Sequence, residues 1–389
     1  MKQLTLFLLS LTIWSVAYPQ KFSGLALTPP MGWNSWNHFA CDGLNEKVIM
    51  EMADAMVESG MRDAGYQYIV LDDCWQAYRD EQGNIVADPK KFPSGMKALA
   101  DYIHSRGLKF GLYSCAGRKT CQERPGSHRY EMQDARTYAS WGVDYLKYDW
   151  CHHVGLDPVE QYTRMRDALY AAGRPVVFSI CEWGWSQPWL WAGDVGHLWR
   201  TTLDITDCWS CRKYFGVLSG WTRILDRQVG LERYAGPDRW NDPDMLEVGN
   251  DGLTVNESRA HFSMWCMLAA PLMAGNDLRK MTPEIRAILT NKEVIAIDQD
   301  SLGRQGFKAV DEGDFEIWIK HLSGDDLAVC FLNRSQREIS KTIQWAALNI
   351  LTTYLMRDLW KHADLEEMQP EFSVRVPPRD VVLLRLNKK

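Results

Sequence analysis

From Leu25 to about Gly303, short apolar runs alternate with longer stretches whose apolar residues recur every three or four positions. The runs at 66–72, 109–113, 143–149, 175–180 and 198–204 are rich in β-branched and aromatic residues and predict strands. Between them, 94–105, 130–141, 158–172 and 259–269 carry helical spacing; in the first, Met96, Leu99, Tyr102 and Ile103 fall on one side. The segment 238–244 reads as a loop after or within a short strand, and the last helix closes on Ala270-Pro-Leu-Met-Ala-Gly275. Strands alternating with helices make a parallel sheet. Roughly eight such units in roughly 280 residues predict a closed (β/α)8 barrel. An open doubly wound sheet is the competitor, but no Gly-x-Gly-x-x-Gly follows the first strand. After Gly303 the pattern changes to short alternating runs at 315–319, 327–332, 343–345, 353–355 and 381–386, broken by Gly, Asp, Asn and Pro. The expectation is a catalytic barrel over 25–303 and an antiparallel β-sandwich domain over 304–389, without helix and without a chemical motif.

Polar residues recur about once per barrel unit at the strand ends: Asp72 and Asp73, Tyr113, Asp149, Glu182, Asp204 and Asp244. The C-terminal ends of barrel strands open on one face, so these residues are expected to converge in an acidic pocket. Lys147 lies two residues before Asp149 and therefore shares its face of the strand. An ammonium beside a carboxylate lowers its pKa, which suits a nucleophile or a charged binding group and suits a general acid badly. A plain strand-end ion pair is the competing reading. Asp204, flanked by Leu203 and Ile205, is a candidate proton donor, kept protonated by the charge of Asp149. Periodicity leaves Glu182 and Asp244 open for the same role.

Composition narrows the chemistry. The net charge of −6 argues against nucleic acid, which needs a basic face. Eighteen tryptophans favour a carbohydrate partner, since aromatic rings stack on the C–H faces of sugars, although bulky core filling accounts for most of them. Lys2, the apolar run at 4–16 and the small-x-small Ser15-Val16-Ala17 read as an export signal over residues 1–17, too short for a spanning helix. No later run is long enough to span a bilayer, so the expected product is exported, in a periplasmic, extracellular or lumenal compartment where disulfides are permitted. Ten cysteines allow many pairings; Cys208-Trp-Ser-Cys211 reads as a local disulfide or two thiols, because zinc would want a second such pair. His152-His153 is adjacent rather than helically spaced, and there is no His-Glu-x-x-His and no Gly-x-Ser-x-Gly. A carboxylate cluster could hold calcium or magnesium, but Lys147 and Arg200 would compete with a cation, so neither metal nor cofactor is expected. Two carboxylates acting together remain, as glycoside hydrolysis requires. Asn256-Glu-Ser and Asn333-Arg-Ser are sequons if the host glycosylates.

The motifs Met31-Gly-Trp-Asn-Ser-Trp36, Leu71-Asp-Asp-Cys-Trp75, Gly142-Val-Asp-Tyr-Leu-Lys-Tyr-Asp149, Trp199-Arg-Thr-Thr-x-Asp204 and Trp240-Asn-Asp-Pro-Asp-Met-Leu246 together resemble the α-galactosidases (melibiases) of glycoside hydrolase family 27. Ala270-Pro-Leu-Met-x-Gly-Asn-Asp-Leu278 and Ile297-Asp-Gln-Asp-x-Leu-Gly303 extend the resemblance to about Gly306. It implies the same barrel-plus-β-domain architecture and a retaining exo-glycosidase for terminal α-D-galactose, with Asp149 as nucleophile and Asp204 as acid/base. Asp72 and Asp73 would bind the C4 and C6 hydroxyls, Lys147 their neighbours, and Arg200 and Asp244 the C2–C3 side. Trp36 and Tyr113 would line the apolar faces of the sugar, and Cys181, Glu182 and Trp183 the loop after the fifth strand. The resemblance also implies disulfides Cys41–Cys74 and Cys121–Cys151. Two departures stand out: Cys115 replaces a usual Asp, and Cys181 lacks the partner near Gly196 that some members have, leaving it free to face the pocket. α-N-Acetylgalactosaminidase, β-L-arabinopyranosidase and a non-catalytic galactose-binding protein are the competing functions. The bulky Trp183 and Trp185 argue for a free C2 hydroxyl, the Asp72-Asp73 pair for galactose, and the presence of both Asp149 and Asp204 for catalysis.

Overall fold

The computed structural model describes residues 21–389; the stretch read as an export signal lies outside them. Eight parallel strands follow one another in chain order: β1 (Met31–Asn34), β2 (Tyr68–Leu71), β3 (Lys109–Cys115), β4 (Tyr145–Asp149), β5 (Val177–Cys181), β6 (Leu198–Arg200), β7 (Trp240–Asp242) and β8 (Leu272–Ala274). β8 pairs with β1, and Leu246, just beyond β7, bridges Ala274 to complete the ring. This is the (β/α)8 barrel.

Pleat alternation decides which side chains fill it. Tyr68 and Val70, Tyr145, Val177, Leu198, Trp240 and Met273 form one buried cluster from alternate positions. The residues between them, Ile69, Leu71, Leu146, Tyr148, Phe178 and Ile180, belong to the larger core shared with the helices. Gly111 of β3 admits no side chain, because a Cβ there would lie 2.7 Å from Val70 Cγ2 and 3.2 Å from Tyr145 Cβ. The helices include α1 (Glu46–Glu58), α2 (Gly95–Ser105), α3 (Glu131–Trp141), α4 (Pro158–Ala172) and α5 (Val255–Leu268). Residues at the ends of α4 fix its length: Asp157 caps Glu160 N, Pro158 opens the first turn, and Gly173 takes the left-handed conformation at φ 79°. α5 begins four residues earlier than its apolar spacing indicated, because Thr254 and Glu257 form a capping box.

The C-terminal strands are β9 (Phe307–Asp311), β10 (Phe315–His321), β11 (Leu327–Asn333), β12 (Ile339–Gln344), β13 (Tyr354–Asp358), β14 (Glu371–Val376) and β15 (Asp380–Lys388). One antiparallel sheet runs β9-β10-β11-β15-β13, ending on the short strand Ala363–Asp364, and β12 pairs with β14 in a second. Ile317, Ile319, Val329 and Phe331 face Ile343, Val374 and Val376 across the sandwich. The alternate residues Trp318, Cys330, Leu332, Val381 and Leu383 join the barrel core instead. Both faces of the sheet are thus apolar, and α5, lying against it, is buried nearly all round. Lys320 reaches across to donate to Cys266 O at 2.9 Å, and Arg259 of α5 pairs with the wholly buried Asp380.

Arg259→Ala would leave the Asp380 carboxylate buried without its cation. A loss of about 2–3 kcal/mol is expected, below the full cost for a buried pair because Arg259 is partly exposed. A lowered midpoint in thermal unfolding checks this, and an unchanged midpoint contradicts it. Of the two sequons, Asn333 is fully buried and its amide donates to the carbonyls of Arg337, Val376 and Pro377, so it cannot carry a glycan.

Candidate active site

A cavity of about 590 Å³ opens at the C-terminal ends of the barrel strands. It is lined by Trp36, Asp72, Asp73, Tyr113, Lys147, Asp149, Cys181, Trp183, Arg200, Asp204 and Asp244, so eleven of the residues singled out from the sequence meet there.

β4 delivers Lys147 and Asp149 on its inner face, one and two pleat repeats beyond Tyr145. Lys147 Nζ donates to Asp72 Oδ2 at 2.7 Å, which also accepts from Asn34 Nδ2 at 2.8 Å. The ammonium therefore pairs across two strands with Asp72 rather than with Asp149, its neighbour on β4. Asp149 accepts from the Tyr113 hydroxyl at 2.8 Å and from Trp150 N at 2.8 Å. Its pKa is not depressed, as the Lys147 spacing led one to expect. Burial pushes it up to about 7, Lys147 opposes, and the charge of Asp204 adds to the rise. Desolvation outweighs an ammonium whose closest partner is a different carboxylate.

Asp204 arrives by a route the sequence did not reveal. The stretch 198–204 is not one strand. β6 ends at Arg200, Thr201 N bonds to Asp242 O, and Asp204–Thr206 pairs in parallel with Leu218–Gly220 in a separate small sheet. Arg200 Nη2 donates to Thr202 O and to Asp204 Oδ1, each at 3.0 Å, and lies 3.0 Å from Asp244 Oδ2. The departure from the barrel wall is what brings Arg200 and Asp204 together. Asp204 opens onto the cavity. Its pKa is raised by burial; Arg200 pulls it down and Asp244 pushes it up. Asp244 is therefore the carboxylate that chiefly reinforces the rise at Asp204. Asp244 itself holds φ +82°, uncommon for a residue with a side chain, and is fixed by Trp265 Nε1 donating to its carbonyl at 2.8 Å.

Asp73 is anchored on the other side, accepting from Cys74 N at 2.7 Å and Gln122 N at 2.9 Å. The loops carrying these donors are tied by disulfides Cys41–Cys74 and Cys121–Cys151, and Cys208 pairs with Cys211. Cys121, Asp149 and Cys151 place donor atoms within 4.8 Å of one another, but the two sulfurs are spent in the disulfide, so no thiolate remains for a metal. Cys181 is free, buried and on the cavity wall, 3.7 Å from Arg200 Nη1.

Glu182 is not brought to the cavity. Its Oε2 accepts from Ser186 N at 2.7 Å, so the carboxylate braces its own loop, and it is absent from the lining. Trp185 also points away, 60% exposed. Conversely, Asn34, Glu247 and Asn37 went unrecognised as site residues. Asn34 holds Asp72, while Glu247 and Asn37 line the rim and bond to each other at 2.5 Å. Asn34 sits two residues before Trp36 in a motif already noted; Glu247 follows Leu246 with no periodic or spacing signal.

Residues 28–300 match the family model described as "Alpha galactosidase A", and residues 312–386 the model "Alpha galactosidase C-terminal beta sandwich domain". The chain belongs to the α-galactosidase family. Among relatives of this family, the α-galactosidase A of Cellvibrio japonicus is 53% identical, over 96% of this chain and 95% of its own. The α-galactosidase of Cyamopsis tetragonoloba is 50% identical, over 91% and 85%. The structure of the Saccharomyces cerevisiae α-galactosidase with raffinose superposes at TM-score 0.90, with 30% identity over 96% of this chain and 100% of that one. α-Galactosidase membership agrees with the acidic, Arg- and Lys-bearing cavity just described.

Proposed function

We propose that the chain hydrolyses terminal non-reducing α-D-galactosides by double displacement, with Asp149 as nucleophile and Asp204 as acid/base. The observation that carries the residue roles is that these two carboxylates line one cavity and that the charge of Asp204 adds to the raised pKa of Asp149, within a family of α-galactosidases. Asp149 attacks the anomeric carbon as Asp204 protonates the leaving oxygen; Asp204 then takes a proton from the water that releases galactose. Tyr113 and Trp150 N hold Asp149 for attack, and Arg200 aims Asp204. Asp72, already joined to Lys147 and Asn34, and Asp73 accept the C4 and C6 hydroxyls. A site built to bond an axial hydroxyl rejects the epimer because its own polar groups would be left unpaired. Arg200, Cys181 and Trp183 take the C2 side, where a 2-acetamido group would meet bulk. We also infer that the chain is exported: three disulfides favour an oxidising compartment, and no described helix is long and apolar enough to cross a membrane.

Two outcomes follow from the electrostatics and the C2 wall. With Asp204 ionised, Asp149 releases its proton near pH 7, so the pair loses its last proton there. Catalysis needs one carboxylate and one acid, hence a pair holding one proton. kcat/KM is expected to fall about tenfold per unit above about pH 7.5, and a profile still rising there contradicts the assignment. On substrates, 4-nitrophenyl α-galactoside should exceed its 2-acetamido analogue by about 100-fold in kcat/KM, whereas faster cleavage of the analogue overturns the C2 assignment.

A further inference from the structure

The catalytic cavity shares a lining residue with a neighbouring hollow. Trp183 lines it and also lines a neighbouring groove of about 750 Å³; Trp189 lines that groove and a third hollow of about 450 Å³. The cavity and the groove each fall in the range that holds a small ligand, ~300–1,000 Å³, so together they exceed the room one galactose needs. The tryptophans at these junctions come from one loop, Glu182-Trp-Gly-Trp-Ser-Gln-Pro-Trp-Leu-Trp191. Trp183 and Trp185 pack with ring centroids 4.9 Å apart, and Trp185 is 60% exposed. The hairpin after Asp204 contributes to both hollows. Tyr214 and Leu218 face the catalytic cavity, while Phe215, wholly exposed, faces the groove.

Exposed aromatic side chains such as Trp185 and Phe215 mark a surface that a partner covers. The charged residues of the groove complement them. Among the described residues, Arg212, Arg223 and Arg227 have no carboxylate within ion-pair distance, and Asp226 turns instead to Arg334 at 2.6 Å. Guanidinium donors beside aromatic faces suit a carbohydrate, whose hydroxyls accept and whose C–H faces stack.

We infer that the groove forms a track for the leaving-group end of the substrate, so that the preferred galactosides carry a chain of several sugar units rather than a small aglycone. The inference rests on the proposed galactosidase reaction and extends it beyond the scissile bond. The galactosyl unit occupies the acidic cavity, Trp183 marks the crossing, and successive sugars lie along Trp185, Phe215 and Trp189.

The test is a length series: 4-nitrophenyl α-galactoside, then melibiose, raffinose, stachyose and verbascose, whose leaving groups grow from one to four sugar units. kcat/KM is expected to climb through the three-unit leaving group. Trp185→Ala and Phe215→Ala should each cancel the gain by about tenfold on stachyose while leaving the 4-nitrophenyl substrate within about twofold. Trp185→Phe, which keeps a stacking face, should restore most of it. A flat length series, or variants that slow both substrates alike, overturns the track. Loss of 4-nitrophenyl turnover in the unsubstituted protein would instead strike the galactosidase reading. In that case binding of stachyose by calorimetry, weakened or not by Trp185→Ala, still decides whether the track exists.

Discussion

Asp149→Asn should abolish turnover, by about 10⁴-fold or more in kcat, without loosening the fold. The amide is nearly isosteric with the carboxylate, and its oxygen can still accept from the Tyr113 hydroxyl or from Trp150 N. What disappears is the nucleophile. Stability should move the other way. The folded pKa of Asp149 is raised to about 7 by burial, so its favourable contribution is complete below about pH 4 and is lost as pH rises through 7. At pH 7.5 the protein carries a buried charge that the amide variant lacks, and the variant should unfold at an equal or higher temperature. Circular dichroism through thermal unfolding, set beside the rate on 4-nitrophenyl α-galactoside, separates the two effects. A variant that keeps its activity moves the nucleophile elsewhere; one that is inactive and also markedly less stable reduces Asp149 to a structural part.

Asp204→Asn should discriminate between leaving groups. The first step on melibiose needs a proton, so kcat/KM there should fall by about 10³-fold or more. A 4-nitrophenolate leaves unaided, and kcat/KM on that substrate should fall by only about 10–100-fold. Water then attacks slowly without its base, and azide, which needs none, should restore turnover and give α-galactosyl azide. Equal losses on both substrates with no azide effect would show that Asp204 holds Arg200 and Asp244 in place rather than moving a proton. Arg200 makes that alternative concrete, since its guanidinium bridges both carboxylates at 3.0 Å.

Legibility in the sequence tracked the physics that each element depends on. α4 could be bounded to the residue because Asp157, Pro158 and Gly173 are local signals that act whatever surrounds them. β4 and its inner face were legible because pleat alternation forces Tyr145, Lys147 and Asp149 to one side. β6 was read too long, because Thr201, Thr202 and Leu203 suit a strand as well as the bend they form; the ladder to β7 stops after Thr201, and Asp204–Thr206 pairs instead with Leu218–Gly220. α1 is amphipathic, yet it is not among the helices that spacing predicted. The short strands β1 and β8 are four and three residues, below the length at which alternation can be seen. At the site, side-chain type marked most of the lining, but partner choice did not follow from spacing. Lys147 bonds a carboxylate on β2, Glu182 turns into its own loop, and the sign of the Asp149 shift was misjudged because sequence shows the neighbouring cation and hides the burial.

The central claim is that Asp149 forms the bond to the sugar. Incubation with a fluorinated galactosyl fluoride, followed by proteolysis and mass spectrometry, traps and locates that bond. The account predicts a single galactosyl adduct on the peptide containing Tyr148-Asp149-Trp150-Cys151, carried by Asp149. An adduct on Asp204, on Asp244 or on no residue at all would contradict it.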